Sequence, residues 1–479
     1  MIIKINFWTI EYEIKKICCI GAGYVGGPTM SVIANKCPDL IVTVVDIDDK
    51  KIASWNDKDL SNLPIYEPGL KEIVERNRNK NLFFSIDIKN AIREADMIFI
   101  SVNTPTKKKG LGAGYASDLK WVEKSARQVA EFSVGHTIIV EKSTVPVKTA
   151  ELIEEILFNS EFNKESKKTF SVLSSPEFLA EGTAIKDLEN PDRVLIGGED
   201  PEAKETLSNI YKKWIPKEKI LQTNIWSSEL SKLIANAFLA QRVSSINSIS
   251  ALCETTGAEI SEVVKAIGSD KRIGQKFLSP SPGFGGSCFK KDILNLVYLC
   301  RFYGLNDVAN YWEQVMLINN WQKNRISNLI VQKFFGTVSN KKILILGFSF
   351  KSDTNDTRES PAIVISKDLL ENGAELLIHD PKVSKRQIEI ELGLESFDKD
   401  NTNFGRWNFV NNIKNAAKNA DAIVIITEWN EYKNLNWKEL SDFMRKPSWI
   451  FDTRKLIPIS FLKEIDSNYW QIGSPNTNK

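Results

Sequence analysis

Short runs of apolar, largely β-branched residues recur through the first third of the chain, each ending on a turn-forming or polar residue. Lys16–Ile20 runs into Gly21, Val42–Val45 into Asp46, Met97–Val102 into Asn103, and Thr137–Val140 into Glu141. Continuous apolar runs of this kind mark strands buried on both faces. Stretches with helical spacing lie between them, among them Lys71–Arg78 and Leu119–Glu131. Strand alternating with helix predicts a parallel, doubly wound sheet. The same order returns near the other end. Lys341–Leu346 runs into Gly347, Leu376–His379 into Asp380, Ala422–Ile426 into Thr427, and Trp449–Asp452 into Thr453. Two sheets of related architecture are expected, by duplication or by convergence.

The middle of the chain differs. Ser227–Thr255 has helical periodicity, many small residues and neither Gly nor Pro. As one helix it would measure ~43 Å at 1.5 Å per residue. Asn306–Phe335 also reads as a long helix. The expected organisation is α/β: a first sheet domain over 1–226, a central helical domain over 227–335, and a second sheet domain over 336–479. The long helix serves either core packing or a subunit interface.

Composition narrows the chemistry. The 479 residues carry 63 Lys+Arg against 61 Asp+Glu, a formal charge of +2, so no global field recruits nucleic acid or an anionic membrane. No run approaches the ~18 apolar residues of a membrane span. Only two histidines are present, His136 and His379, which excludes a His-rich metal site and leaves an imidazole triad few options. Six scattered cysteines form no C-x-x-C pair, so no metal site is expected and the thiols read as reduced, in a cytoplasmic protein. The N-terminus lacks the pattern of a cleaved signal peptide, and the polar tail from Gly473 is expected to fray.

Gly21, Ala22, Gly23, Tyr24, Val25 and Gly26 spell G-x-G-x-x-G, after a strand and before a helix. Gly21 suits the tight turn. Gly23 lets backbone approach a pyrophosphate. Gly26 lets helix pack on strand. Asp46, at the end of the next strand, can hold both ribose hydroxyls and would repel a 2′-phosphate, which favours NAD over NADP. Lys51 is either a phosphate contact or a solvated cation. Both sheet domains are therefore expected to be Rossmann-like, the first binding NAD. The second half replaces the glycines with a polar loop carrying Lys351 and Arg358, suited to a phosphorylated ligand.

Ser281–Asp292 combines Gly283, Phe284, Gly285 and Gly286 with Cys288, ahead of the helical run Asp292–Cys300. A thiol at a helix N-terminus beside Lys290 and Lys291 is expected to favour the thiolate. The other five cysteines read as packing residues. A nicotinamide site with a nucleophilic cysteine has a specific meaning. Hydride removal from an alcohol gives an aldehyde, and the thiolate captures it as a thiohemiacetal. A second hydride transfer gives a thioester, which water hydrolyses. The alcohol loses four electrons to two NAD, while lysine, carboxylates and water move the protons.

At these residues the chain resembles the UDP-glucose/GDP-mannose dehydrogenase family, in its eukaryotic form. The resemblance runs from about Lys16 to Lys455. It includes Val102, Asn103, Thr104, Pro105 and Thr106; Glu141–Pro146; Pro176–Gly182; Asn190–Val194; Lys232–Asn236; the cysteine loop; and Phe451–Arg454. It implies oxidation of UDP-glucose to UDP-glucuronate, with two NADH formed. Cys288 would be the nucleophile. Lys232 would assist alcohol deprotonation or stabilise the oxyanion, with Asn236 donating a hydrogen bond. Asp292 would hold water, Glu177 would act as base in thioester hydrolysis, and Thr144 would position water.

The resemblance adds Ser143, Glu181, Lys291 and Arg358 to the NAD contacts. It assigns Glu177, Phe178, Leu179, Ala180 and Glu181 to the substrate, with Lys232, Asn236, Phe277, Gly283, Phe284 and Gly285, and also Phe350, Lys351 and Arg454. Arg272 matches an arginine that reaches the site from a neighbouring subunit, which implies a homo-oligomer, dimer or hexamer. The loop Ser143–Lys148 implies feedback by UDP-xylose. The rival readings are a sister enzyme acting on UDP-N-acetylmannosamine or GDP-mannose, and a non-catalytic nucleotide-sugar sensor. The loop around Phe277 disfavours the first. The set Cys288, Lys232 and Glu177 argues against the second.

Overall fold

The computed structural model describes residues 12–161, 168–393 and 405–475. The residues read above for a leader (1–11) and the end of the tail (476–479) lie outside them. The chain divides into two compact units, one ending at Ala235 and the other starting at Asn236. The division falls inside one helix of 32 residues, Ile225–Thr256, slightly longer than the apolar pattern predicts.

The first unit is built on an eight-stranded sheet: β1 (Lys16–Ile20), β2 (Ile41–Val45), β3 (Leu82–Ser85), β4 (Met97–Ile100), β5 (His136–Glu141), β6 (Thr169–Ser174), β7 (Val194–Gly198) and β8 (Ile220–Thr223). Their spatial order is β3-β2-β1-β4-β5-β6-β7-β8. β1 to β6 are parallel, as the alternating pattern predicts, whereas β7 pairs antiparallel with β6 and parallel with β8. Apolar cores cover both faces. Trp55, Val44 and Phe99 lie in one, and Ile20, Ile98 and Ile139 in the other.

The second unit carries six parallel strands: β9 (Lys342–Leu346), β10 (Glu375–His379), β11 (Arg406–Phe409), β12 (Ala422–Ile425), β13 (Trp449–Asp452) and β14 (Asn468–Gln471). Their order, β11-β10-β9-β12-β13-β14, is the full doubly wound dinucleotide arrangement. The helices Phe289–Phe302 and Asn306–Lys333 precede this sheet in the chain.

The two sheets repeat each other in their polar fastenings. Asp96, just before β4, accepts the Lys16 amide at 2.9 Å, and Asp421, just before β12, accepts the Lys342 amide at 2.8 Å. The acids that end the second strands diverge. In the second unit Asp380 is buried and accepts the Phe348, Ser349, Lys382 and Val383 amides at 2.7–3.0 Å, with Trp429 Nε1 at 3.2 Å.

Candidate active site

The loop after β1 is shaped by three glycines with three different reasons. Gly21 has φ +113°, and a Cβ there would stand 2.2 Å from the Ser101 carbonyl oxygen. At Gly26 a Cβ would stand 2.0 Å from the Gly21 oxygen. Gly23 faces open space, with nothing within 4 Å of where a Cβ would point. The first two are demanded by the fold, and the third leaves room for a ligand. Val25 heads the helix Gly26–Lys36 with no side-chain cap, so its leading N–H groups are not met by a side chain of that residue.

Asp46 completes this cradle. The Ala22 amide donates to its Oδ2 at 2.9 Å and the Asp48 amide to its Oδ1 at 3.0 Å. Lys51 Nζ stands 2.9 Å from Oδ2 and pairs with the acid. Burial pushes the Asp46 carboxyl up, but the two amides and Lys51 outweigh it and hold the group below the usual carboxylate value. The residues therefore fit a dinucleotide with a free ribose 2′-hydroxyl.

The loops after β4 and β5 are tied together by hydroxyls. Thr104 Oγ1 donates to the Thr144 carbonyl at 2.8 Å, and Ser143 Oγ donates to the Val102 carbonyl at 2.8 Å. Asn103 and Pro105 are exposed, and Thr106 bridges to Ser117. Beyond this loop, Glu229 accepts the Lys148 and Ala150 amides at 2.7 and 2.8 Å and caps the helix Thr149–Asn159. Its acid is pushed up to about 7, chiefly by burial.

Glu177 follows β6 and sits in a constellation that its motif does not reveal. Its Oε2 stands 3.0 Å from Lys142 Nζ and accepts from Thr29 Oγ1 at 3.5 Å, while Oε1 accepts the Phe178 amide at 2.9 Å. Phe178 carries two cations over its ring, Arg193 at 3.9 Å and Lys232 at 5.4 Å. Leu179 is half-buried against the core, Ala180 is exposed, and Glu181 lies half-buried beside them. Buried Glu67 accepts the Gly182 and Ala184 amides at 2.7 and 3.1 Å and so fixes the loop that carries Glu181. Sequence reasoning missed Lys142 as a partner, and missed Glu67. An acid directly before the Pro68-Gly69 turn was the available signal for the latter.

In the second unit Asn236 Nδ2 donates to Asp292 Oδ2 at 2.6 Å, both buried. Cys288 occupies the cap position of the helix Phe289–Phe302, a turn earlier than the run read from sequence. It is exposed, and the other five cysteines are buried. Burial pushes Cys18 up to about 12 and Cys37 up to about 11, so neither supplies a thiolate. Ser287 Oγ lies 3.4 Å from the Cys288 sulfur. The neighbouring lysines are already paired, Lys290 with Glu359 at 2.8 Å and Lys291 with Asp292 at 3.8 Å.

Three buried carboxamides clasp the glycine loop. Asn247 accepts the Ser281 amide at 2.8 Å, and Gln322 donates to the Ser281 carbonyl at 2.9 Å. Asn319 accepts the Phe284 amide at 2.8 Å and donates to the Phe284 carbonyl at 3.1 Å. Gly283 has φ +124° and rests on the Lys323 stem. A Cβ on Gly285 would stand 2.6 Å from the Glu359 carbonyl oxygen and 2.8 Å from Phe350, so the cysteine loop lies directly on the loop after β9. The Gly286 amide donates to the Arg358 carbonyl at 2.8 Å.

Around that second loop, Arg358 is chelated by Asp356, and Lys351 stands 5.6 Å over the Phe350 ring. Arg454 pairs with Glu428 at 3.0 Å and donates to the Ile426 carbonyl at 2.7 Å. Phe277 is exposed at φ +62°. Arg272 is exposed and pairs with Asp270. Among the described residues no group of three His, Cys, Asp or Glu side chains could hold a metal ion, and no helix is long and apolar enough to cross a membrane.

Family models match three consecutive segments: the NAD binding domain over 15–215, the central domain over 226–321 and the UDP binding domain over 344–458. The chain belongs to the UDP-glucose/GDP-mannose dehydrogenase family. It is 55% identical over 473 residues to UDP-glucose 6-dehydrogenase 4 of Arabidopsis thaliana, covering 96% of this chain and 97% of that protein. It is 56% identical over 450 residues to the UDP-glucose 6-dehydrogenase of Gallus gallus, covering 93% and 90%. Among solved structures it matches a UDP-glucose dehydrogenase from Pyrobaculum islandicum with TM-score 0.81 and 27% identity, covering 97% and 98%. The family's first domain makes NAD the cofactor, and the chain is an NAD-dependent oxidoreductase.

Proposed function

We propose that this family member oxidises UDP-glucose at C6 to UDP-glucuronate by covalent catalysis at Cys288. The observation that carries the mechanism is the contrast among the thiols: Cys288 alone is exposed, at a helix head on a glycine loop, while the other five are buried. Bound NAD would accept one hydride at each of two oxidations. The chain's own groups do the rest. Lys232 assists removal of the alcohol proton, and Asn236 donates to the developing oxyanion. The Cys288 thiolate adds to the aldehyde carbon and forms the thiohemiacetal. Loss of the second hydride leaves the thioester. Water then adds to the acyl carbon and gives a proton to Glu177, and the C–S bond breaks with its electron pair returning to sulfur. Thr144 and Asp292 hold water.

The substrate reading is supported by the identity to curated UDP-glucose 6-dehydrogenases over nearly the whole chain. A homo-oligomer and feedback by UDP-xylose through the Ser143–Lys148 loop extend it. The decisive experiment supplies purified protein with NAD and, separately, UDP-glucose, UDP-N-acetylmannosamine and GDP-mannose, and follows NADH. Two NADH per UDP-glucose are expected. Turnover of another sugar without turnover of UDP-glucose would overturn the substrate, and one NADH per sugar would overturn the four-electron course. Initial velocities unchanged by UDP-xylose would remove the feedback.

A further inference from the structure

Lys142 is a buried cation. It follows β5, and its side chain is 3% exposed. Its amide is already met by the Ile100 carbonyl at 2.9 Å. Its ammonium lies 3.0 Å from Glu177 and 3.2 Å from the Tyr211 hydroxyl. A buried ion pair seldom adds stability over apolar residues of similar volume. Glu177 is the outer member of the pair, with its side chain 16% exposed. Lys142 therefore backs, from the inside, a carboxylate whose outer side reaches solvent.

We infer that Lys142 is a positioning residue for the hydrolytic step, holding Glu177 in one orientation to receive the proton of the attacking water. This rests on Glu177 acting as that base. Lys142 itself exchanges no proton: water's oxygen bonds to the acyl carbon, its proton goes to Glu177, and the C–S electron pair goes to Cys288. Burial works against the Lys142 charge, but Glu177 and Tyr211 more than restore it, and the ammonium is held above the ordinary lysine value. The pair is faced by Tyr211 from the helix Pro201–Tyr211, by Thr29 from the helix Gly26–Lys36 and by Cys19 on β1, whose thiol burial keeps protonated. On the outer side Arg193 and Lys232 stand over the adjoining Phe178 ring.

The test follows thioester decay on the enzyme by rapid acid quench and intact mass, with UDP-glucose and NAD. Lys142→Gln keeps a hydrogen-bond donor but removes the charge. It is expected to accumulate thioester, its decay slowed about tenfold or more while the KM for UDP-glucose stays near the parental value. A folded Lys142→Gln whose thioester decays at the parental rate would overturn the inference. Lys142→Arg retains the charge and tests positioning even if the glutamine variant fails to fold. Its thioester decay should slow about tenfold at an unchanged KM, and a parental rate would overturn the inference. Glu177→Gln separates the two readings: thioester that decays at the parental rate in that variant removes Glu177 as the base. If Glu177→Gln traps thioester while Lys142→Gln does not, the base stands and the positioning role falls.

Discussion

Asn236 donates to Asp292 across 2.6 Å, linking the helix Ile225–Thr256 to the first turn of the helix that Cys288 heads. Both side chains are buried, so the contact is not exchanged for water. Asn236→Ala leaves a buried carboxylate short of one donor. Thermal or urea unfolding is expected to show a loss of about 1–3 kcal/mol, and NADH formation should fall at the same time. Unchanged stability with parental turnover would disprove the pairing's role.

The glycines after β1 separate ligand space from fold space. Gly23→Ala meets nothing within 4 Å and should melt like the parent, yet bind NAD at least about tenfold more weakly, because the methyl occupies the approach to the pyrophosphate. Gly21→Ala and Gly26→Ala drive a methyl into backbone and should lose soluble, folded protein. Calorimetric NAD titration beside thermal melts distinguishes the two behaviours.

We propose that Asp46 sets cofactor choice. With Lys51 on one oxygen and two amides shared across the pair, it stays ionised and repels a 2′-phosphate. Asp46→Ser is expected to raise the ratio of kcat/KM for NADP over NAD by about tenfold or more. A ratio that does not move would assign discrimination elsewhere.

Cys288→Ser removes the proposed nucleophile at an exposed position. Stability should stay within about 0.5 kcal/mol. Net NADH formation should drop at least about a hundredfold, since a hydroxyl in the same place is a far weaker nucleophile near neutral pH. A near-parental rate would rule out the covalent course.

Lys323 gives the second unit a pH signature. Burial, aided by Lys290 and opposed by Glu359, pushes its ammonium down to about 8. The unfolded chain keeps the ordinary lysine value and so binds more protons than the native state between the two. Stability contributed by this group must therefore rise as pH climbs from about 8 toward the ordinary value, and it is least below 8. Lys323→Met should remove that slope. The stability of the parent minus that of the variant, from urea melts, should increase between about pH 7 and pH 10; a constant difference would contradict the burial argument.

Much of this was readable in the chain. β1 and β13 coincide with their apolar runs, and β4 stops at Ile100, two residues early, because Ser101 and Val102 turn into the loop that Ser143 fastens. The three roles given to Gly21, Gly23 and Gly26 follow from the motif because each answers a local backbone constraint. Lys142, Glu67, Asn319 and Lys323 were not readable as partners. A charged or amide residue beside a strand or on a long helix reads as solvated, and only tertiary packing buries it. The reversal of β7 and β8 was equally hidden, since apolar runs carry no sign of direction.

Asp380 marks where the second sheet departs from a dinucleotide site. The second sheet keeps the strand order and the terminal acid of a dinucleotide binder, but four amides and an indole already occupy that acid's oxygens. The carboxylate is a structural rivet: it organises the loop that follows β9 and carries Lys351 and Arg358. An effort to make this half bind a dinucleotide would have to begin by emptying the rivet hole, not by adding glycines.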